Sequence, residues 1–183
     1  IAPQVDAYFA AHPTSSRVQR GNKMARERMS VLYDHSAREG GFVLGTSNKT
    51  ELLIGYGTIF GDMACAINPM GDLYKTQVRE LAAHLRVPAA IRGKSPTAGL
   101  WPGQTDEAEI GLAYEELDDI LCGLVEGRKR RKEIIEAGHK PAAVDRVVRM
   151  IRNSEFKRKS PPIAKLSLRS VGHDFLHPYD WGK

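Results

Sequence analysis

Apolar residues recur along this chain with two different periods, and the changes between them locate its elements. Between Gly21 and Ala37, the residues Ala25, Met29, Leu32 and Ser36 share one face at helical spacing, with Arg26 and Arg28 turned elsewhere. Gly41, Phe42, Val43 and Leu44 break that rhythm with a short apolar run, the pattern of a core strand in an α/β sheet. A helix is expected to resume through Leu52, Leu53 and Ile54. Val78, Leu81, Ala82 and Leu85 form a further stripe, with Thr76 as its expected cap and Pro88 as its stop. Over 112–124, Leu117, Ile120, Leu121 and Leu124 point inward, which leaves Glu115, Glu116, Asp118 and Asp119 on an expected solvated face. Val144, Val147, Val148 and Ile151 mark a last amphipathic helix.

Punctuation falls between these stretches. Residues 55–62 are glycine-rich and read as a loop, closed by Asn68-Pro69. Residues 94–107, KSPTAGLWPGQTDE, form a long polar loop with prolines and a tryptophan, a lid candidate inside a folded unit. The aromatic stretch from His173 to Trp181 is expected to dock on the body. The first residues, Ile1 to Tyr8, already read like the middle of a folded unit.

Composition narrows the class. At 183 residues, 42% hydrophobic and 27% charged, the chain can bury one substantial core, and wholesale disorder is excluded. No apolar run approaches the ~20 residues of a membrane span, and no secretory pattern opens the chain, so a cytoplasmic location without membrane association is expected. Cys65 and Cys122 lack CxxC spacing and are expected to be buried thiols. A net charge of +5 favours an anionic partner, which a nucleotide satisfies as well as a nucleic acid. The basic run Arg128 to Lys132 has no interleaved aromatics and reads as a solvated turn or helix end.

The chemistry concentrates in Gly45-Thr46-Ser47-Asn48-Lys49-Thr50-Glu51, directly after the apolar run. In open α/β sheets, ligands bind beyond the carboxyl ends of strands, where the following helix offers unpaired N–H groups to anions. Thr46 and Glu51 fall at that edge. Asn48 followed by Glu51 is equally the signature of a capping box, in which the carboxylate merely satisfies the helix start. A GxSxG elbow, a GxGxxG fingerprint and a Walker GxxxxGK[ST] are all absent, and the histidines lack metal-ligand spacing.

Taken in order, GNKMARERM at 21–29, GTSNKTE at 45–51, GYGTIFGD at 55–62, DLYKTQVRELAAHL at 72–85 and SPTAGLWPGQTDE at 95–107 resemble the ammonia-dependent NAD synthetase family, over about residues 20–165. That resemblance implies a Rossmann-like adenine nucleotide α-hydrolase fold, a mainly parallel sheet flanked by helices. It implies conversion of deamido-NAD to NAD with ATP and ammonia. ATP turns the nicotinate carboxylate into an acyl-adenylate with release of pyrophosphate, and ammonia then displaces AMP. Such chemistry needs positioning and charge neutralisation more than a protein nucleophile.

Residue by residue, the resemblance makes Arg26 and Lys157 contacts to deamido-NAD, and Thr46, Lys75 and Thr97 contacts to ATP. It makes Glu51 a ligand of Mg2+, an ion that takes one or two carboxylates together with water and phosphate. A homodimer is implied, with the dinucleotide at the subunit interface. Relatives commonly carry a lysine near Ile59 and an aspartate near Ala66, so those contacts do not transfer. The SGGxDS pyrophosphate loop of the PP-loop superfamily is expected several tens of residues upstream of this region. Residues 1–183 are therefore expected to be the carboxyl-terminal portion of a single synthetase domain. Two rivals remain at this level: another PP-loop adenylating enzyme, and a nucleic-acid-binding module built on residues 128–132.

Overall fold

In the computed structural model, residues 1–171 are described, so the stretch from His173 to Trp181 lies outside them. Helix α1 (Ala2–Ala10) packs through Val5 and Phe9 on α2 (Arg17–Glu39), and the Arg20 guanidinium sits 4.6 Å from the Phe9 ring centroid. A reciprocal capping box of Ser16 and Gln19 opens α2, and Gly40 closes it in the left-handed region at φ 63°. Six helices follow in the order α3 (Lys49–Ile54), α4 (Lys75–His84), α5 (Ala89–Arg92), α6 (Asp106–Ile110), α7 (Tyr114–Val125) and α8 (Arg131–Glu136). The series closes with α9 (Pro141–Asn153) and a 3-10 turn over Glu155–Arg158.

The core sits where α7 crosses α9. Leu117, Ile120, Leu121, Val144 and Val147 are completely buried there, with Ile54, Tyr74, Ile110 and Ile134 packed around them. Each such aliphatic side chain contributes about 1.5–3 kcal/mol by leaving water. The helical periodicity over 112–124 and 144–151 therefore locates the elements and their inward faces correctly.

Elsewhere the expectations need correction. The strand at Phe42 to Leu44 is extended, yet its pairing among the described residues is one isolated parallel bridge, Leu44 to Ile67. Hydrogen bonds from Gly45 N to Ile67 O (2.7 Å) and from Ala66 N to Val43 O (2.9 Å) hold it on one edge. Val43 is buried while Phe42 and Leu44 are 73% and 60% exposed, the alternation of a strand with an uncovered face. A mainly parallel sheet is therefore not seen among the described residues. On α2, Ala25 is buried as expected but Leu32 is 53% exposed, because nothing described packs on that part of the helix. The α4 stripe forms a helix without a single buried residue, and its cap position is Tyr74, two residues before Thr76.

The basic run is largely neutralised. Arg130 and Arg131 pair with Glu133 and Asp145, and Lys132 with Glu136, so three of its five cations have carboxylate partners. Among the described residues, no helix is long and apolar enough to cross a membrane.

Candidate functional site

One cavity of about 930 Å³ opens between α2, the extended stretch after Gly41, the start of α3, one face of α4 and the 94–105 loop. Thr46, Glu51, Lys75, Thr97 and Lys157 all line it. These are five of the six residues singled out in the sequence. The sixth, Arg26, is exposed and outside the lining; its Nε donates to Ile59 O at 3.2 Å, and Arg28 of the same helix faces the cavity instead.

The floor is built by two helix starts. Glu51 N donates to Asn48 Oδ1 (3.0 Å), and Asn48 N donates to Glu51 Oε2 (3.2 Å), so the capping box is real. The other carboxylate oxygen, Oε1, accepts from Lys75 Nζ at 3.1 Å. Capping and pairing with Lys75 are thus done by different oxygens of one side chain. The pair is shielded, with side chains 14% and 19% exposed, and Lys75 Nζ also lies 5.1 Å from the Tyr114 ring centroid.

The first amides of α4 are already occupied. Lys75 N donates to Thr50 Oγ1 (2.9 Å), Thr76 N to Asp118 Oδ2 (2.8 Å), and the Thr50 hydroxyl to Asp118 Oδ1 (2.5 Å). Asp118 is 4% exposed, which overturns its expected place on a solvated face. The start of α3 departs from expectation as an anion cradle, since Lys49 N donates to Leu73 O at 2.8 Å and Glu51 N to Asn48 Oδ1, while at α4 the cation offered to the cavity is the Lys75 side chain.

A second polar group closes the cavity opposite α2. The Tyr56 hydroxyl lies 2.6 Å from Glu109 Oε2 and 3.0 Å from Asp106 Oδ1, and can donate to one of them at a time. Tyr114 Oη donates to Asp106 Oδ2 at 3.0 Å, and Gln104 Nε2 to Glu109 Oε2 at 2.9 Å. Burial first, and the neighbouring carboxylates second, push both phenols far above their usual range, so they remain protonated donors. None of this network was legible in the sequence. Asp106 and Glu109 look there like acidic residues of a helix's first turn, and the one available hint was their position at the end of the long loop.

Lys157 reaches the cavity from the 3-10 turn. Its Nζ donates to Gly55 O (2.8 Å) and Gly57 O (2.7 Å), and burial lowers its pKa against the opposing pull of Asp62. Gly55 permits the approach: it sits at φ 71°, and a Cβ there would stand 2.1 Å from Ser154 Cβ. The lid candidate is pinned on both sides. Gly21 of α2 lies flat against Leu100 and Trp101, Gln104 Oε1 accepts from Leu100 N at 2.8 Å, and Asp106 N donates to Pro96 O at 3.0 Å. Thr97 remains exposed on its rim, with its hydroxyl accepting from Gly99 N at 3.1 Å.

The chain is similar to known proteins over nearly its whole described length. The NAD synthase family model matches residues 1–161. An NH(3)-dependent NAD(+) synthetase of Trichlorobacter lovleyi is 54% identical over the whole chain, which spans 67% of that protein, and the Chlorobaculum parvum counterpart is 55% identical, with 64% of its length covered. The chain thus spans about two thirds of the length of its curated relatives. Among solved structures, NMN synthetase from Francisella tularensis superposes with a TM-score of 0.76 at 38% identity, over 88% of this chain and 63% of that one. The NH3-dependent NAD synthetase of Campylobacter jejuni gives 0.72 at 34%, over 90% and 63%. With the family model matching residues 1–161 and relatives 54% and 55% identical over nearly the whole chain, the chain belongs to the NAD synthase family.

Proposed function

We propose that the full-length protein forms NAD from deamido-NAD, ATP and ammonia, passing through an acyl-adenylate with release of pyrophosphate and then AMP. The observation that carries this reading is the convergence of Thr46, Glu51, Lys75, Thr97 and Lys157 on one cavity large enough for a nucleotide. Lys75 neutralises phosphate, Thr46 and Thr97 donate hydroxyls from the rim, and Lys157 holds the Gly55 to Gly57 backbone in place beneath the acceptor. The carboxylate wall of Asp106 and Glu109, bridged by Tyr56, suits the cationic co-substrate ammonium, whose proton must leave before attack. The 183 residues form part of one α/β domain, and the edge at Leu44 is open to further strand pairing.

The donor set fits Mg2+ in one specific way. Among the described residues no group of three or more His, Cys, Asp or Glu could hold a metal, while Glu51 lines the cavity and keeps Oε1 out of the capping bond. A magnesium ion held by one carboxylate would complete its shell with water and phosphate oxygens, and would neutralise charge on the triphosphate. A homodimer is included in the reading; the exposure of Arg26 and of Leu32 on the same helix supports it, since Arg26 would then serve a site shared between chains.

The test is product analysis. With ATP, ammonium and deamido-NAD labelled in its carboxylate oxygens, the expected result is NAD with AMP and pyrophosphate in equal amounts, and label in the AMP. Formation of ADP, or AMP without label, would overturn the acyl-adenylate reading. A mononucleotide acid is a second acceptor reading, favoured by the superposition on NMN synthetase and by Ile59 and Ala66 standing where relatives commonly carry lysine and aspartate. Parallel kcat/KM values for the two acids decide between them.

A further inference from the structure

We propose that Asp118, acting through Thr50 and the first amides of α4, is the positioning residue that holds the Lys75 ammonium against Glu51 on the cavity floor. The proposal rests on the reading above, in which Lys75 and Glu51 form the nucleotide end of the site.

Asp118 does not line the cavity; it sits on the buried side of α7. A carboxylate that is 4% exposed is costly unless its charge is answered. The Thr76 amide and the Thr50 hydroxyl both donate to it, so the start of α4, with its positive end of the helix dipole, supplies the compensation. Stabilising a helix alone would need only a Ser, Thr, Asn or Asp at the cap position, where this chain has Tyr74, whose side chain makes no capping bond.

Capping from a distance does something local capping cannot. It ties three helices at one point: α7 through Asp118, α4 through the amides of Lys75 and Thr76, and α3 through Thr50, which is itself fully buried. Thr50 immediately precedes Glu51, and it accepts from the backbone of Lys75 itself. The Thr50 hydroxyl and the Asp118 carboxylate therefore fix both ends of the 3.1 Å pair. A lysine whose backbone drifts by about 1 Å loses much of the benefit of orientation, which can cost about 100-fold in rate.

The test compares Asp118→Asn, Thr50→Val and Thr50→Ser with Lys75→Met in the full-length protein. Melting temperature is measured beside kcat and the separate KM values for ATP, acceptor and ammonium, all normalised to folded protein. The expected result is a rise of about 10-fold in KM for ATP in Asp118→Asn and Thr50→Val, with KM for ammonium within about 2-fold, and restoration by Thr50→Ser. If Lys75→Met raises KM for ATP while Thr50→Val only lowers the melting temperature, Asp118 and Thr50 are structural and the proposal is overturned. If Lys75→Met itself leaves ATP binding unchanged, the reading of the cavity has failed instead. Should Asp118→Asn not fold, the contrast between Thr50→Val and Thr50→Ser decides the question, since the first replaces only the hydroxyl of Thr50 and the second removes only its methyl.

Discussion

Two regions of the molecule, one behind the cavity and one along it, are built on opposite terms. On one side, α7 and α9 bury Leu117, Ile120, Leu121, Val144 and Val147 completely, and Arg131 of α8 pairs with Asp145 of α9 across the surface. On the other side, α2 and the extended stretch after Gly41 leave Leu32, Phe42, Leu44 and Ile67 at least half exposed, with one edge of the stretch unpaired among the described residues. The closed side can be stable on its own contacts. The open side has hydrophobic pattern without hydrophobic partners, and it carries Thr46 and the glycine loop. Rigidity comes to the site from α7 and α9, transmitted through Asp118, Tyr114 and Ser154.

The largest effect is expected in the closed side's core. Leu121→Ala removes a completely buried side chain and should cost about 3 kcal/mol of stability in denaturant unfolding. A loss below about 1 kcal/mol would show that the closed side is not the stabilising half. Next comes the seam. Gly55→Ala would put a Cβ against Ser154 at a positive φ, and should cost about 2 kcal/mol while loosening the grip of Lys157 on the loop. Wild-type stability in that variant would mean that the 3-10 turn does not dock there.

The phenols probe the link between the sides at high pH. Tyr56 belongs to the open side and Tyr114 to the closed one, and burial raises both well above the ordinary value of 10.0. Tyr74, raised to about 12 by burial, behaves in the same sense. Below pH 10 both folded and unfolded chains keep these protons, and the stabilisation is complete. Above it the unfolded chain ionises while the folded one does not, so stability falls, by about 1.4 kcal/mol per pH unit for each group. Tyr56→Phe should flatten that fall, which is read as the slope of unfolding free energy against pH above 10. The smallest effect is expected at Leu44→Ala, within about 0.5 kcal/mol, because that side chain is 60% exposed. A larger loss would show that the open side is covered after all.

Much of the architecture could be read from the chain. Helical spacing placed α7 and α9 and their inward leucines and valines, because an inward stripe on a helix has to recur at its own period. The same logic failed on α4, where Leu81 and Leu85 follow the period and yet remain 41% and 65% exposed, since a stripe states what a helix can bury and not whether a partner is present. Asp118 failed in the opposite direction. In sequence it is one of four acidic residues in a row of helix positions, and only its facing of α4 makes it a buried cap.

The site divides along the same line. Residue order is enough to supply the blocks that carry Thr46, Glu51, Lys75 and Thr97, and it offers Glu51 as either a cap or a ligand, because short-range spacing fixes local geometry. Folding in three dimensions is needed to show that one Glu51 oxygen caps while the other accepts from Lys75 at 3.1 Å, and that Arg26 turns away to Ile59. Those contacts join residues 24 and 33 positions apart. No local periodicity encodes such separations; they exist only once the core of α7 and α9 has set where each helix begins.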